Sequence, residues 1–404
     1  MPFRKLNIHG DLHSSIKKLG FELPTPIQEQ AIPTILQGLD LIGLSKTGSG
    51  KTAAYLLPII TRLLASQGPR RTKVLVLVPT RELAIQVQEM ARPLGGPVGI
   101  RIAAIFGGVS FLPQINALRS GDEIVVATPG RLMDHINRGN IRLQGIEILV
   151  LDEADRMLDV GFLPDIRRIV SHIPRQRQTL LFSATMSVRI EQLARSIMNN
   201  PVRVTTGESD SQNPTMPVGI THAVYIVPRA RKFLLLMHLL RKMHMPSVLI
   251  FCRMKRHADL LAHDLRSERL RVECMHSDRS QRQRVDALNA LKRGDVQILV
   301  ATDIAARGID VENISHVVNY DLPPTGKDYI HRVGRTARVE AKGDAYTLVC
   351  PDEYSVLRGI ESTLGYALPR ITDPDFDYGP KQGMEPVKTT YRFPVRRGSR
   401  RRRR

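Results

Sequence analysis

Apolar residues in this chain come in short solid runs rather than in alternating stripes. Val74 to Val78, Ile124 to Ala127, Ile148 to Leu151 and Thr179 to Phe182 offer almost no polar side chain to either face of an extended backbone. That pattern marks a parallel strand covered on both sides. The runs ending at Leu44 and Phe106 read the same way, and alternating Val202-Arg203-Val204-Thr205 reads as an edge strand. Gly207 to Thr215 then has the polar, Gly- and Pro-containing composition of a flexible connection. After it the alternation of strand and helix restarts, at Ala223 to Val227, Val248 to Phe251, Arg271 to Cys274, Ile298 to Ala301, His316 to Asn319 and Tyr346 to Val349. Arg256 to Arg269 shows helical spacing, and from Tyr366 onward both patterns fade. Two parallel-sheet α/β domains are expected, over 1–206 and 219–366, with a linker at 207–218 and a basic, mostly disordered tail at 367–404.

The length of 404 residues agrees, being too great for one ordinary core. A net charge of +20 favours a polyanionic partner. No apolar run approaches the roughly 18 residues of a spanning helix, and Met1 to Lys5 shows no signal-peptide core. A soluble cytoplasmic protein with no membrane role is expected. Cys252, Cys274 and Cys350 are widely spaced in apolar segments and read as buried, reduced thiols without metal-ligand spacing.

Chemistry enters at the strand ends. Ile148 to Leu151 feeds into Asp152-Glu153-Ala154-Asp155, carboxylates placed where open α/β sheets keep their ligands. An acidic first helical turn is the plain alternative. Upstream, Ser45-Lys46-Thr47-Gly48-Ser49-Gly50-Lys51-Thr52 sits between a strand and a helical segment. Its glycines let backbone N–H groups surround phosphate oxygens. Lys51 is suited to the β- and γ-phosphates and the Thr52 hydroxyl to Mg²⁺. Asp152 completes that metal site as the second-strand acid. Ser45 stands where the strict pattern has Gly.

Asp152 to Asp155 spells the motif of the DEAD-box RNA helicases, and the resemblance runs nearly end to end, with the bacterial RhlE-type branch the best fit. It implies two tandem RecA-like domains, ATP and Mg²⁺ as cofactors, and RNA as partner. Gly20 to Gln28 resembles the family's Q motif, which makes Gln28 the adenine discriminator with Phe21 and Phe3 near the ring. Thr47, Gly48, Ser49 and Gly50 join Lys51 and Thr52 around the phosphates. Glu153 becomes the base that directs the attacking water. Ser183-Ala184-Thr185, with Asp155, becomes the element coupling hydrolysis to RNA remodelling.

Three further strand ends carry Pro79-Thr80-Arg81, Gly107-Gly108 and Thr128-Pro129-Gly130-Arg131. Hydroxyls, bare N–H groups and guanidinium hold phosphates without reading bases, although helix capping explains any one of them. By resemblance Pro79, Thr80, Arg81, Gly108, Thr128 and Arg131 grip the RNA backbone, with Glu82 a structural partner of an arginine. In the second half Thr302, Gly308 and Arg284 join them.

Arg332, Arg335 and Arg338, at i, i+3 and i+6, are expected to share one helix face. The resemblance makes Arg335 and Arg338 arginine fingers for a phosphate loop on the other domain. Asp310 becomes a ribose contact, and His331 a member of the carboxylate network. Three departures stand out: Ser45-Lys46 for Ala-Gln, Ala337 for Gly, and Met254 for Thr. The family's habits point to ribosome assembly or RNA decay, with proteins of those pathways as partners. An ATP-gated RNA clamp or annealing chaperone, with hydrolysis only timing release, and a DNA-directed motor remain rival readings. Tyr391, Phe393 and the arginines up to Arg404 suggest non-specific RNA contact by the tail.

Overall fold

The computed structural model describes residues 2–45, 48–66, 70–206, 219–306, 314–336 and 343–379. The chain divides into two compact units, each built on one parallel sheet.

In the first unit the strands are β1 (Leu41–Leu44), β2 (Val74–Leu77), β3 (Ile102–Ile105), β4 (Ile124–Ala127), β5 (Ile148–Leu151), β6 (Gln178–Ser183) and β7 (Val202–Thr205). Their order across the sheet is β3-β4-β2-β5-β6-β1-β7, all parallel. The solid apolar runs have a direct cause. Leu41, Val74, Val76, Ile148, Val150, Leu180 and Phe182 enter one core, while Ile42, Leu75, Leu77, Leu149, Leu151 and Leu181 enter another on the opposite face. Alternate side chains point to opposite faces, so a sheet clad on both sides needs apolar residues at every position. β7 closes one edge, as its alternation predicts.

The second unit holds β8 (Ile220–Ile226), β9 (Val248–Cys252), β10 (Val272–Met275), β11 (Ile298–Thr302), β12 (His316–Asn319) and β13 (Gly343–Val349). The order is β10-β11-β9-β12-β13-β8, again parallel. Both sheets match the RecA-like architecture expected from the sequence.

Two expectations need correction. Packing does not fade at Tyr366. Val224 donates its N–H to the Pro369 carbonyl at 2.8 Å, and the Ile371 N–H returns to the Val224 carbonyl at 2.8 Å, so this segment pairs with β8. Leu368 is buried, and Lys242 Nζ reaches Asp373 Oδ1 at 2.7 Å. Ordered chain therefore continues to Gly379. Irregular segments held by ladder bonds and ion pairs carry no hydrophobic period, which hid this one. The linker 207–218 and residues 380–404 of the tail lie outside the described residues. The second correction concerns the arginine triplet: the helix Gly326–Val333 ends at Gly334, before Arg335, so no single helix face presents the three. Arg332 is instead 2% exposed. It is bound to Asp303 and donates to Asn319 Oδ1 at 3.0 Å.

Candidate nucleotide and nucleic-acid site

Parallel strands deliver all their carboxyl ends to one edge of the first sheet. In spatial order, the segments leaving β3, β4, β2, β5, β6 and β1 carry Gly107-Gly108, Thr128 to Arg131, Pro79 to Glu82, Asp152 to Asp155, Ser183 to Thr185, and the phosphate loop. The three candidate RNA segments are neighbours, and the acidic and hydroxyl segments lie between them and the phosphate loop.

At the phosphate loop, Gly50 caps the helix Lys51–Ala65 with φ of 88°. A Cβ there would lie 2.4 Å from Gln28 Nε2, so only glycine keeps this junction unstrained. Gln28 is committed at both ends of its amide. Its Oε1 accepts from Thr25 N–H at 3.0 Å, and its Nε2 donates to the Gly50 carbonyl at 3.1 Å. Thr25 adds a bond to the Ser49 carbonyl at 2.8 Å. The Gly20–Gln28 segment is thus fastened directly to the phosphate loop. Ser45 fits its unusual place through a 2.7 Å contact between its hydroxyl and that of Ser49. Lys51 Nζ donates to the Ser45 carbonyl at 2.8 Å. Thr47 lies outside the described residues, as does Lys46. Phe3 is buried and stacks on half-buried Phe21, centroids 6.4 Å apart. Phe21 is therefore the exposed member of the pair, and Phe3 backs it.

The acidic segment is tightly built. Asp152 is 2% exposed and accepts from the Tyr55 hydroxyl at 3.0 Å. Burial raises its pKa to about 6 against the opposing charge of Lys51. Glu153 adopts the left-handed region with φ of 54°, costly for a residue with a Cβ and frequent at functional sites. Arg156 Nη1 meets Glu153 Oε2 at 2.9 Å, which orients the carboxylate. Asp155 accepts from Thr185 Oγ1 at 3.3 Å, and Ser183 Oγ donates to the Thr185 carbonyl at 2.7 Å. The hydroxyl segment and the acidic segment are physically joined, as the sequence suggested.

The donor set suits magnesium. Thr52 and Asp152 offer the hard oxygens that Mg²⁺ prefers, and the Tyr55 hydroxyl holds Asp152 Oδ2 at 3.0 Å. The Gly50 junction supplies a cradle that any side chain would fill.

On the other side, Thr80 caps the helix Arg81–Gly95 by accepting from Leu83 N–H at 3.2 Å. Arg81 lies against Gly107-Gly108, where a Cβ on Gly108 would come within 2.0 Å of its Nη1. Pro79 and Thr128 are buried at their strand ends. Arg131 is mostly enclosed: Nη2 donates to the Val109 carbonyl at 3.0 Å and the guanidinium covers the Phe111 ring at 3.9 Å. Desolvation lowers its pKa. Gln114 ties this corner together through the Phe106 carbonyl at 2.9 Å and His135 at 3.1 Å.

In the second half of the sequence Thr302 ends β11, half-buried His331 lies on the helix Gly326–Val333, buried Arg335 follows it, and Arg284 sits on the helix Gln281–Arg293. Gly308, Asp310 and Arg338 lie outside the described residues, as does Ala337. Met254 is exposed before the helix Lys255–Ser267. All three cysteines are buried free thiols, and burial pushes the Cys252 thiol up. Cys274, His276 and Asp259 do bring metal-ligand atoms within 4.8 Å. However, His276 Nδ1 accepts from Asp278 N–H at 3.3 Å while Nε2 faces Asp259 Oδ1 at 2.9 Å. That tautomer leaves Nε2 no lone pair for a cation.

Sequence reading passed over Tyr55, Arg156, Gln114 and His135. The available signals were a single phenol in an aliphatic helix and an arginine at i+3 from Glu153.

The DEAD/DEAH box helicase family model matches residues 25–193, and that of the helicase conserved C-terminal domain matches 231–340. The DEAD-box ATP-dependent RNA helicase CshA of Geobacillus kaustophilus is 41% identical over 375 residues, covering 93% of this chain and 79% of that protein. Its Bacillus subtilis namesake is 40% identical over 376 residues, 93% and 75% of the two chains. The structure of S. cerevisiae Dbp5 bound to RNA and ADP BeF3 aligns with a TM-score of 0.78 and 30% identity, covering 92% of this chain and 95% of that one. The chain belongs to the DEAD-box family of ATP-dependent RNA helicases.

Proposed function

We propose that this protein hydrolyses ATP in response to single-stranded RNA and uses the cycle to open short duplexes locally, without regard to sequence. The observation that carries this reading is the Thr185–Asp155 contact at 3.3 Å. It joins the acidic segment to the hydroxyl segment, on strands between the phosphate loop and the three candidate RNA segments.

In this reading Gly48, Ser49, Gly50, Lys51 and Thr52 hold the phosphates, with Thr47 completing the loop. Gln28 selects adenine through the hydrogen-bonding capacity its amide retains, and Phe21 covers the base. Thr52 and Asp152 would hold a magnesium ion, which would supply charge neutralisation at the phosphate oxygens when bound. Glu153 accepts the proton of the attacking water. Its Oε2 is held by Arg156, so Oε1 is the atom that serves. Arg335 and Arg338 are the fingers that offset developing phosphoryl charge, Asp310 meets the ribose, and His331 orients the network. Pro79, Thr80, Arg81, Gly108, Thr128, Arg284, Thr302 and Gly308 bind the RNA backbone. Arg131 shapes that surface while contributing its remaining N–H. The domain limits are 1–206 and 219–366, with the packed extension to Gly379 added to the second. Assignment to the RhlE-type branch rests on the motifs, whereas the relatives above carry the name CshA. A cytoplasmic role with ribosome-assembly or RNA-decay proteins fits the same reading.

The direct test is the ATPase rate with and without single-stranded RNA, on this protein and on Lys51→Ala. RNA should stimulate the former by at least tenfold (about 1.4 kcal/mol of barrier) and leave the latter at background. Equal rates with matched DNA would overturn the RNA assignment, and strand release without duplex opening would favour a clamp. The tail is read as a non-specific RNA contact. Deleting residues after Pro394 should flatten the salt dependence of RNA binding, by about 0.7 in the log–log slope per phosphate released.

A further inference from the structure

The helix Lys51–Ala65 carries one phenol, Tyr55, one turn beyond Lys51. Its side chain is fully enclosed, with the ring 5.4 Å from that of Phe182. Phenylalanine would fill the same space with no polar atom to satisfy, so the hydroxyl needs a reason. It donates its one proton to Asp152 Oδ2 at 3.0 Å.

A carboxylate that gives one oxygen to a fixed donor presents the other in a fixed direction, which is what a cation site requires of a ligand. Resting on the ATP–magnesium reading above, we propose that Tyr55 is a positioning residue that presets Asp152 for the divalent cation. The hydroxyl braces that ligand from behind and does not itself touch the cation. Outer partners of this type commonly change metal affinity by about 10–100-fold when removed.

The test is Tyr55→Phe in the full chain, with a fluorescent ADP analogue titrated at increasing Mg²⁺ so that no turnover is involved. Affinity for the analogue in EDTA should match the wild type. The Mg²⁺ concentration that gives half of the metal-dependent gain should rise by about tenfold, and the melting temperature should stay close to that of the wild type. An unchanged Mg²⁺ midpoint overturns the proposal. So does an equal loss of affinity with and without Mg²⁺, because the hydroxyl would then act on loop packing alone. Should Y55F melt too early to assay, Tyr55→Met fills the space with a flexible apolar chain and carries the same expectation. A wild-type protein whose ADP binding ignores Mg²⁺ would sink the underlying metal reading, a separate and recognisable result.

Discussion

At Glu153 the backbone and the chemistry make opposite demands, and the chemistry prevails. A φ of 54° is disfavoured for any residue with a Cβ, yet it turns the carboxylate into reach of Arg156 at 2.9 Å. Such a conformation cannot be read from residue identities, although the carboxylates themselves could be found at the end of an apolar run. Tyr55 was hidden for a related reason: its partner Asp152 is 97 positions away, and only packing brings the two together. His222 yields a prediction at this scale. It lies beside the Tyr329 hydroxyl at 3.1 Å, and burial lowers its pKa to about 4. The unfolded chain titrates near 6.5 and so takes up a proton first as pH falls. The stability this neutral histidine confers is complete above about 6.5 and is lost as pH drops toward 4. His316, also lowered by burial, acts in the same direction. The melting temperature of the protein should therefore fall between pH 7 and pH 5, and less steeply in His222→Gln. Parallel melting profiles for the two proteins would remove His222 from the account.

Elements were legible where both faces of a strand are covered, because the apolar run is then unbroken. Ile124–Ala127, Ile148–Leu151 and His316–Asn319 have the limits that the sequence predicts, and the edge strand Val202–Thr205 is legible by its alternation instead. Spacing failed where it was asked to extend a helix: Gly334 ends the Gly326–Val333 helix, and Arg332 turns inward to Asp303 and Asn319. It failed again after Tyr366, where the segment to Gly379 is held by bonds to Val224 and by pairs such as Arg231–Asp377 at 2.8 Å. That segment covers the outer edge of β8, and uncovered edges invite pairing between molecules. Burial of Leu368 alone stabilises by about 1.5–3 kcal/mol. A chain ending at residue 379 should melt like the full protein, and one ending at 366 at least about 4 °C lower, with more aggregation. Calorimetry on the two truncated chains checks this, and coincident melting curves would reduce the extension to decoration.

At the scale of the whole molecule, the sequence holds one phosphate-loop motif, Ser45 to Thr52, and it leaves a strand of the first sheet. The second sheet repeats the parallel architecture, and the family reading assigns it arginines instead. If those arginines act on a nucleotide bound elsewhere in the chain, ATP and RNA must each favour the same arrangement of the protein. Linkage then requires that each ligand raise affinity for the other by the same factor. For coupling of ordinary size, about 1–3 kcal/mol, that factor is about 5–150. We therefore expect single-stranded RNA to tighten binding of a non-hydrolysable ATP analogue within that range, and the analogue to tighten RNA equally. Arg335→Ala should bring the factor toward one while leaving affinity for ADP in the absence of RNA unchanged, since no finger is engaged in that state. Fluorescence titrations of each ligand at saturating and zero concentrations of the other provide all four constants of the cycle. A wild-type factor of one would mean that the two ligands bind without sensing each other, and that ATP cannot control the grip on RNA.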